Sequence, residues 1–115
     1  MSKDERVKKE VTRLRKVFAN LPEDVLKVSE GLFIQAARMR VSLDDLWADI
    51  CESGDVEQFT QSPDAPAYER LRPVAQLFNS RDKAYQTIVK QLTDRLPDKK
   101  EREDAREALR KFNEG

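Results

Sequence analysis

The sequence predicts an all-α protein, and three observations carry that prediction. Apolar residues recur at steps of three and four over several segments, as they do on the buried side of a helix. The 115 residues include only three Gly and five Pro, which is little turn material for a β-protein. Hydrophobic and charged residues each make up 38% of the chain, which suits amphipathic helices and a small core that self-association can complete. We therefore expect an oligomeric helical domain at residues 1–97 and a charged tail at 98–115.

The first predicted element is a basic amphipathic helix over residues 1–20, with its pattern beginning at Ser2. Its apolar stripe has steps of four, three and four residues: Val7, Val11, Leu14 and Phe18. Beside the stripe, four cations with similar spacing form what we call the basic ridge: Arg6, Lys9, Arg13 and Lys16. Lys8 and Arg15 lie further round the helix. These six residues are the predicted DNA contacts, because flexible cations can follow a phosphate backbone without sequence-specific geometry. The alternative is an ordinary solvated surface.

The sequence of residues 22–54 predicts two helices joined by a tight turn. Pro22 suits the first turn of one helix. Ser42 and Asp45 resemble a capping box that begins the second, and Gly54 suits the position after its end. Such a helical hairpin is expected to bury Trp47 as its largest apolar side chain.

The charge of the chain is unevenly distributed although its net value is zero. Residues 1–20 carry seven Lys/Arg and three Asp/Glu, whereas residues 42–69 carry eight acids and no Lys or Arg. Asp44, Asp45, Asp49 and Glu52 would repel DNA, which argues against a helix-turn-helix in which the second hairpin helix reads bases. We expect this acidic segment to face solvent or a basic surface of another subunit.

The second half of the chain predicts one long helix between two less regular segments. Residues 55–72 are rich in turn formers and are expected to form a loop, which leaves open a short hairpin or a partner-binding role. Pro73 suits a first helical turn, and a stripe of apolar residues then continues to Leu96, where Pro97 ends it. The tail at 98–115 is either a marginal helix docked by Leu109 and Phe112 or a solvated extension.

The composition argues for binding and assembly rather than catalysis. The chain has no histidine, the usual general base and commonest metal ligand. Its single cysteine, Cys51, excludes an intramolecular disulfide and fits a reducing compartment. The three glycines lie far apart, so no phosphate-cradling loop is present. We therefore expect no enzymatic activity, cofactor or metal site, and no membrane association, because no apolar run is long enough to span a bilayer.

Three stretches together resemble the small subunit of tailed-phage terminases, in the short form found in phages and prophages of Gram-positive bacteria. They are ARMRVSLDDLWADI at residues 37–50 running to Gly54, the turn-rich loop with Ser-Pro after it, and YQTIVKQLTDRLP at residues 85–97. The resemblance implies a ring-forming subunit that binds double-stranded viral DNA at the packaging-initiation site. It also implies that this subunit presents the DNA to the large ATPase and nuclease subunit in the host cytoplasm.

The predicted oligomer interface combines acids with aromatic anchors: Asp44, Asp45, Asp49, Trp47, Phe78 and Tyr85. The aromatic residues are expected in the core or at the interface. Two other interpretations stay open. A helical adaptor would bind only protein, and salt-dependent DNA binding would separate it from a packaging subunit. A small DNA-binding regulator would bind one operator as a dimer, and the acidic hairpin helix counts against it.

Overall fold

The computed structural model describes the backbone of residues 1–114 and the side chains of residues 1–110. Within that range it contains four helices and one antiparallel pair of strands: α1 Lys3–Val17, α2 Glu23–Ser53, β1 Val56–Phe59, β2 Tyr68–Leu71, α3 Pro73–Asp94 and α4 Lys99–Glu114. The protein is therefore mostly helical. The expected all-α class is corrected by the small sheet, which occupies the segment predicted as a loop.

Helix α2 is the central element, and α1 runs antiparallel along it. Arg6 near the start of α1 bonds to Asp45 at 2.8 Å, and Arg15 near its end pairs with Glu30. Helix α1 has the predicted amphipathic pattern, and the Ser2 hydroxyl caps it by accepting from the Glu5 N–H at 3.1 Å. Because α1 begins at the level of Asp45, the last turns of α2 extend beyond it.

Helix α3 lies antiparallel along another side of α2. The Arg95 guanidinium donates to the buried Ser29 hydroxyl at 2.6 Å, whereas Trp47 and Phe78 pack at the other end with ring centroids 5.7 Å apart. As predicted, Pro73 is the first residue of α3. The apolar stripe reaches the buried Leu96, although the helix itself ends at Asp94.

The core lies where all four helices meet. Phe18 and Phe33 stack at 5.9 Å and are both fully buried. Around them are ten further buried residues: Val11, Leu14, Leu21, Ala36, Ala37, Ile88, Leu92, Leu96, Ala105 and Leu109. The last two come from α4, so the tail is a docked helix held by Leu109. Phe112, the other predicted anchor, lies outside the residues whose side chains are described.

The predicted helical hairpin is wrong, because α2 is one continuous helix of 31 residues. Its length is about 46 Å at 1.5 Å per residue. Val41 and Leu43 are both buried, although residues two apart on a helix point in nearly opposite directions. The helix is therefore covered from two sides at the predicted turn, and Arg40 pairs with Asp44 across it at 2.9 Å. The Ser42–Asp45 spacing resembles a capping box, but it lies in the middle of a helix.

Trp47 is not a core residue, since 54% of its surface is exposed. It lies on the part of α2 beyond the start of α1, where its ring packs against Phe78 of α3. Tyr85, by contrast, is 2% exposed, and Phe78 is half-buried. Of the three predicted aromatic anchors, Tyr85 belongs to the monomer's own interior and Trp47 remains on its surface.

Residues 55–72 form a β-hairpin that is fastened to the end of α2. On one of its faces, Phe59 and Tyr68 meet edge to face, and the Arg70 guanidinium lies 3.6 Å above the Phe59 ring. Arg72 donates to the carbonyl of Gly54 at 2.6 Å and to the Asp49 carboxylate at 2.9 Å. Its charge thus lies at the negative end of the α2 dipole, where the last turn has no base of its own.

Candidate nucleic-acid interface

The packing of α1 on α2 places the whole basic ridge along one groove. The apolar stripe of α1 faces the core, and the ridge beside it becomes the wall of an open groove of about 540 Å³. All four ridge residues line this groove, which we call the cationic groove: Arg6, Lys9, Arg13 and Lys16. Helix α2 contributes Arg40, Val41 and Asp44 to it. The lining thus includes five cationic side chains, the four ridge residues and Arg40, and two carboxylates, Glu10 and Asp44.

The other two predicted contacts lie on a different side of α1. Lys8 and Arg15 line a smaller groove of about 370 Å³, together with Asp4 and Arg38. The six residues predicted from spacing therefore do not form a single site. Four belong to the cationic groove and two lie round the helix from it.

Several of these cations are engaged by carboxylates of the same chain. Arg6 bonds to Asp45 at 2.8 Å, and Arg15 bonds to Glu30. The hydrogen bond that Arg15 donates to Glu30 raises the pKa of the Arg15 guanidinium above its usual value, so Arg15 stays charged. A phosphate group that binds either arginine must compete with its partner carboxylate. Lys8 pairs with Asp4 at 3.2 Å, but both side chains are more than three-quarters exposed, and such pairs contribute little.

Arg13 is the most strongly neutralised member of the ridge. Its guanidinium donates to both carboxylate oxygens of Glu10, with the Arg13 Nε atom 2.9 and 3.0 Å from them. Glu10 is 5% exposed, so the pair lies in a weakly solvated environment. A buried carboxylate without this partner would be costly, which makes Arg13 a structural residue at the base of the groove.

Lys9 and Lys16 are the ridge cations that make no ion pair within the described part of the chain. Both side chains are exposed, and both line the cationic groove. They are seven residues apart, or about 10 Å along the helix axis at 1.5 Å per residue. That separation is close to three base-pair steps of about 3.4 Å each. The two ammonium groups are thus the strongest candidates for phosphate contacts.

Arg40 and Tyr85 lie together beside the groove. The Arg40 guanidinium is 5.1 Å from the centre of the buried Tyr85 ring, an arrangement that favours a cation–π interaction. The Tyr85 hydroxyl has no hydrogen-bond partner among the described residues. Burial raises the pKa of Tyr85 above its ordinary value, and Arg40 opposes that rise electrostatically. The phenol is therefore neutral at physiological pH.

Arg40 is the cation of the groove that the sequence prediction missed. It lies 24 residues from Lys16, and nothing in its local sequence separates it from an ordinary surface arginine. Its place in the groove depends on how α1 packs against α2. The periodicity within α1 alone therefore could not identify it.

The three acids predicted for the oligomer interface all pair with bases of the same chain. Asp44 accepts from Arg40 and Asp49 from Arg72, each at 2.9 Å, and Asp45 accepts from Arg6 at 2.8 Å. Each acid is thus already used to hold the monomer together. Whether these carboxylates also contact another subunit stays a prediction.

The described residues contain no group of three or more acidic, histidine or cysteine side chains suited to holding a metal ion. No helix among them is both long and apolar enough to cross a bilayer. Comparison with protein families, characterised proteins and solved structures finds no match to this chain.

Proposed function

We propose that this chain is a DNA-binding subunit that contacts the phosphate backbone through the cationic groove. The observation that carries the proposal is the position of Lys9 and Lys16, two exposed lysines without carboxylate partners in the described residues, on the same groove. Arg6 and Arg40 line the same groove, but each is paired with a carboxylate, Asp45 and Asp44 respectively. Such contacts bind the backbone without reading base edges, so affinity is expected to depend strongly on salt and weakly on sequence.

We further propose that the DNA-binding activity serves viral DNA packaging, as a terminase small subunit would. The support is the resemblance of residues 37–54 and 85–97 to such subunits. In that role the chain presents viral DNA to a large subunit that holds the ATPase and nuclease. A ring of subunits is part of the same proposal. Adding this chain to the large subunit from the same genome should change the DNA-dependent ATPase rate of that subunit.

Salt-dependent binding tests the DNA contact directly. Fluorescence anisotropy with a labelled random-sequence duplex gives the association constant at several NaCl concentrations. Each lysine that neutralises one phosphate contributes about 0.9 to the slope of log K against log salt. The double variant Lys9→Ala/Lys16→Ala should therefore lower the magnitude of that slope by about 1.8.

Lys27→Ala is a matched control, because Lys27 is also an exposed lysine but lies on α2 outside the cationic groove. It should leave the slope unchanged. An equal loss of slope in the control and the double variant would refute a localised groove contact. Absence of DNA binding at low salt would refute the DNA-binding function itself and favour a protein-binding adaptor.

A further inference from the structure

The cationic groove is a concavity, whereas contact with a DNA backbone requires only a row of exposed charges. Its volume of about 540 Å³ lies within the range of about 300–1,000 Å³ that is typical of sites for small molecules. Its buried lining includes Val41 and Glu10, which are 4% and 5% exposed. Lys9 and Lys16 are exposed along its side. The groove therefore has room for a small ligand beside the two lysines that are the proposed phosphate contacts.

The positive charge that the groove offers to a ligand comes from two of its five cations. The three arginines of its lining are paired with carboxylates of the same chain. Lys9 and Lys16 have no such partner among the described residues. Each ammonium group lies at the end of a flexible four-carbon chain, so both can turn toward one ligand. This arrangement suits a ligand with several negative charges close together.

The Arg40 guanidinium is held in place on two sides. The buried Tyr85 ring lies against it, with 5.1 Å between the guanidinium carbon and the ring centre, and the Asp44 carboxylate accepts from it at 2.9 Å. Only 14% of the Arg40 side chain is exposed, and Arg40 lines the groove. A guanidinium is planar and stacks on aromatic rings. The part of Arg40 that borders the groove thus offers a fixed, flat surface for a second aromatic ring.

We propose that the cationic groove binds a nucleoside triphosphate, with the phosphates on Lys9 and Lys16 and the base stacked on Arg40. Val41 and the methylene chains of the lysines and arginines provide apolar surroundings for the base. Stacking contacts the face of a base and leaves its hydrogen-bonding edge unread, so ATP and GTP should bind with similar affinity. This inference goes beyond DNA binding and does not depend on it, because nucleotide binding can be measured without DNA.

The phosphates are expected to bind without a metal ion. The three glycines lie far apart, so no loop of backbone N–H groups cradles the phosphates. The described part of the chain also contains no group of acidic, histidine or cysteine side chains suited to holding a metal. Mg²⁺ on the triphosphate would neutralise the charges that the lysines attract. The affinity for ATP should therefore be lower in excess Mg²⁺ than in EDTA, and the opposite order would overturn this mode of binding.

The first test is isothermal titration calorimetry of the full-length protein with ATP, GTP and inorganic tripolyphosphate at one ionic strength. ATP should bind at least about fivefold more tightly than tripolyphosphate, which has three phosphates but no base. Lys9→Ala/Lys16→Ala should weaken ATP binding at least about tenfold. Lys27→Ala, which removes an exposed lysine outside the groove, should not. Absence of ATP binding by the wild type, or equal losses in the two variants, would overturn the proposal. Equal affinities for ATP and tripolyphosphate would overturn the nucleotide as the occupant.

Arg40→Lys tests the stacking contact while it keeps a positive charge beside Asp44. A lysine ammonium has no planar face, so this variant should bind ATP and tripolyphosphate with similar affinity. Urea unfolding of the variant and the wild type checks that both are folded under the conditions of the titration. A variant that keeps the wild-type preference for ATP would overturn the stacking of the base on Arg40.

Competition between ATP and DNA rests on the proposed function, because both ligands would use Lys9 and Lys16. In fluorescence anisotropy at constant ionic strength, ATP at ten times its own Kd should weaken duplex binding about tenfold. Unchanged duplex affinity would overturn a shared site. Duplex binding without ATP binding would refute the nucleotide site alone. ATP binding without duplex binding would support the nucleotide site and refute the DNA contact, so the two proposals fail separately.

Discussion

Replacing Ser42 with alanine distinguishes a continuous α2 from a helical hairpin by the sign of a stability change. In the structure Ser42 lies in the helix interior, between the buried residues Val41 and Leu43. Alanine has a higher helix propensity than serine in such a position. In a hairpin the same serine would be an N-cap, and alanine would remove its bond to a free backbone N–H.

The expected magnitudes are far enough apart to measure. In the continuous helix, Ser42→Ala should raise the free energy of unfolding by about 0.5 kcal/mol. At a helix N-cap the same change should lower it by about 1 kcal/mol. Ser2 provides the matched control, because its hydroxyl accepts from the Glu5 N–H at 3.1 Å and truly caps α1. Ser2→Ala should therefore be destabilising by about 1 kcal/mol.

The assay is urea unfolding followed by circular dichroism, at one protein concentration and one salt concentration for all three proteins. Fixing both conditions is necessary because self-association also stabilises the folded state. The result that would refute the continuous helix is a loss of about 1 kcal/mol for Ser42→Ala, equal to that for Ser2→Ala. Opposite signs for the two serines would support it.

Two further predictions concern the glycines and Tyr85. Gly31 lies within α2 with open space where a Cβ would be, so Gly31→Ala should raise the free energy of unfolding by about 0.5–1 kcal/mol. Gly54 has φ near +80°, which is strained for any residue with a Cβ, so Gly54→Ala should lower that free energy by about 1–2 kcal/mol. Urea unfolding measures both changes. Equal effects at the two sites would contradict the backbone assignment. Tyr85→Phe should be neutral or stabilising by up to about 1 kcal/mol, because it removes a buried hydroxyl without a partner in the described chain. Burial raises the pKa of Tyr85 in the folded state. The contribution of the neutral phenol to the free energy of unfolding is therefore fully present below the unfolded-state pKa and is lost as pH rises through the folded-state pKa. Because phenylalanine does not ionise, Tyr85→Phe should lose less stability than the wild type in alkaline solution. A variant with the same alkaline loss as the wild type would show that Tyr85 does not cause it.

In helix α1, the sequence alone determined which residues share a face. The steps of four, three and four in α1 placed Val11, Leu14 and Phe18 in the core, and similar spacing placed the basic ridge along one groove. The start of α3 at Pro73 was likewise predicted from a local signal, the proline itself. These features follow from helix geometry and the fixed φ angle of proline, which do not depend on the rest of the fold.

Where local signals are compatible with two structures, the tertiary structure decided between them. Ser42 with Asp45 fits both a helix N-terminus and a helix interior, and burial of Val41 and Leu43 on opposite sides selected the interior. Trp47 is apolar and periodic, but it is exposed because α1 begins at the level of Asp45. In both cases the outcome depends on side chains of other helices, and the periodicity of a single helix does not show where those side chains lie.

Only the tertiary structure shows which cations of the basic ridge are not already paired with a carboxylate of the same chain. By sequence, Arg6 and Lys9 belong equally to the basic ridge, but Arg6 meets Asp45, which is 39 residues away in the chain. Lys9 meets no carboxylate among the described residues and remains available to a phosphate. Spacing within one helix determines where its charges lie, whereas their neutralisation depends on the side chains that packing brings to within about 4 Å.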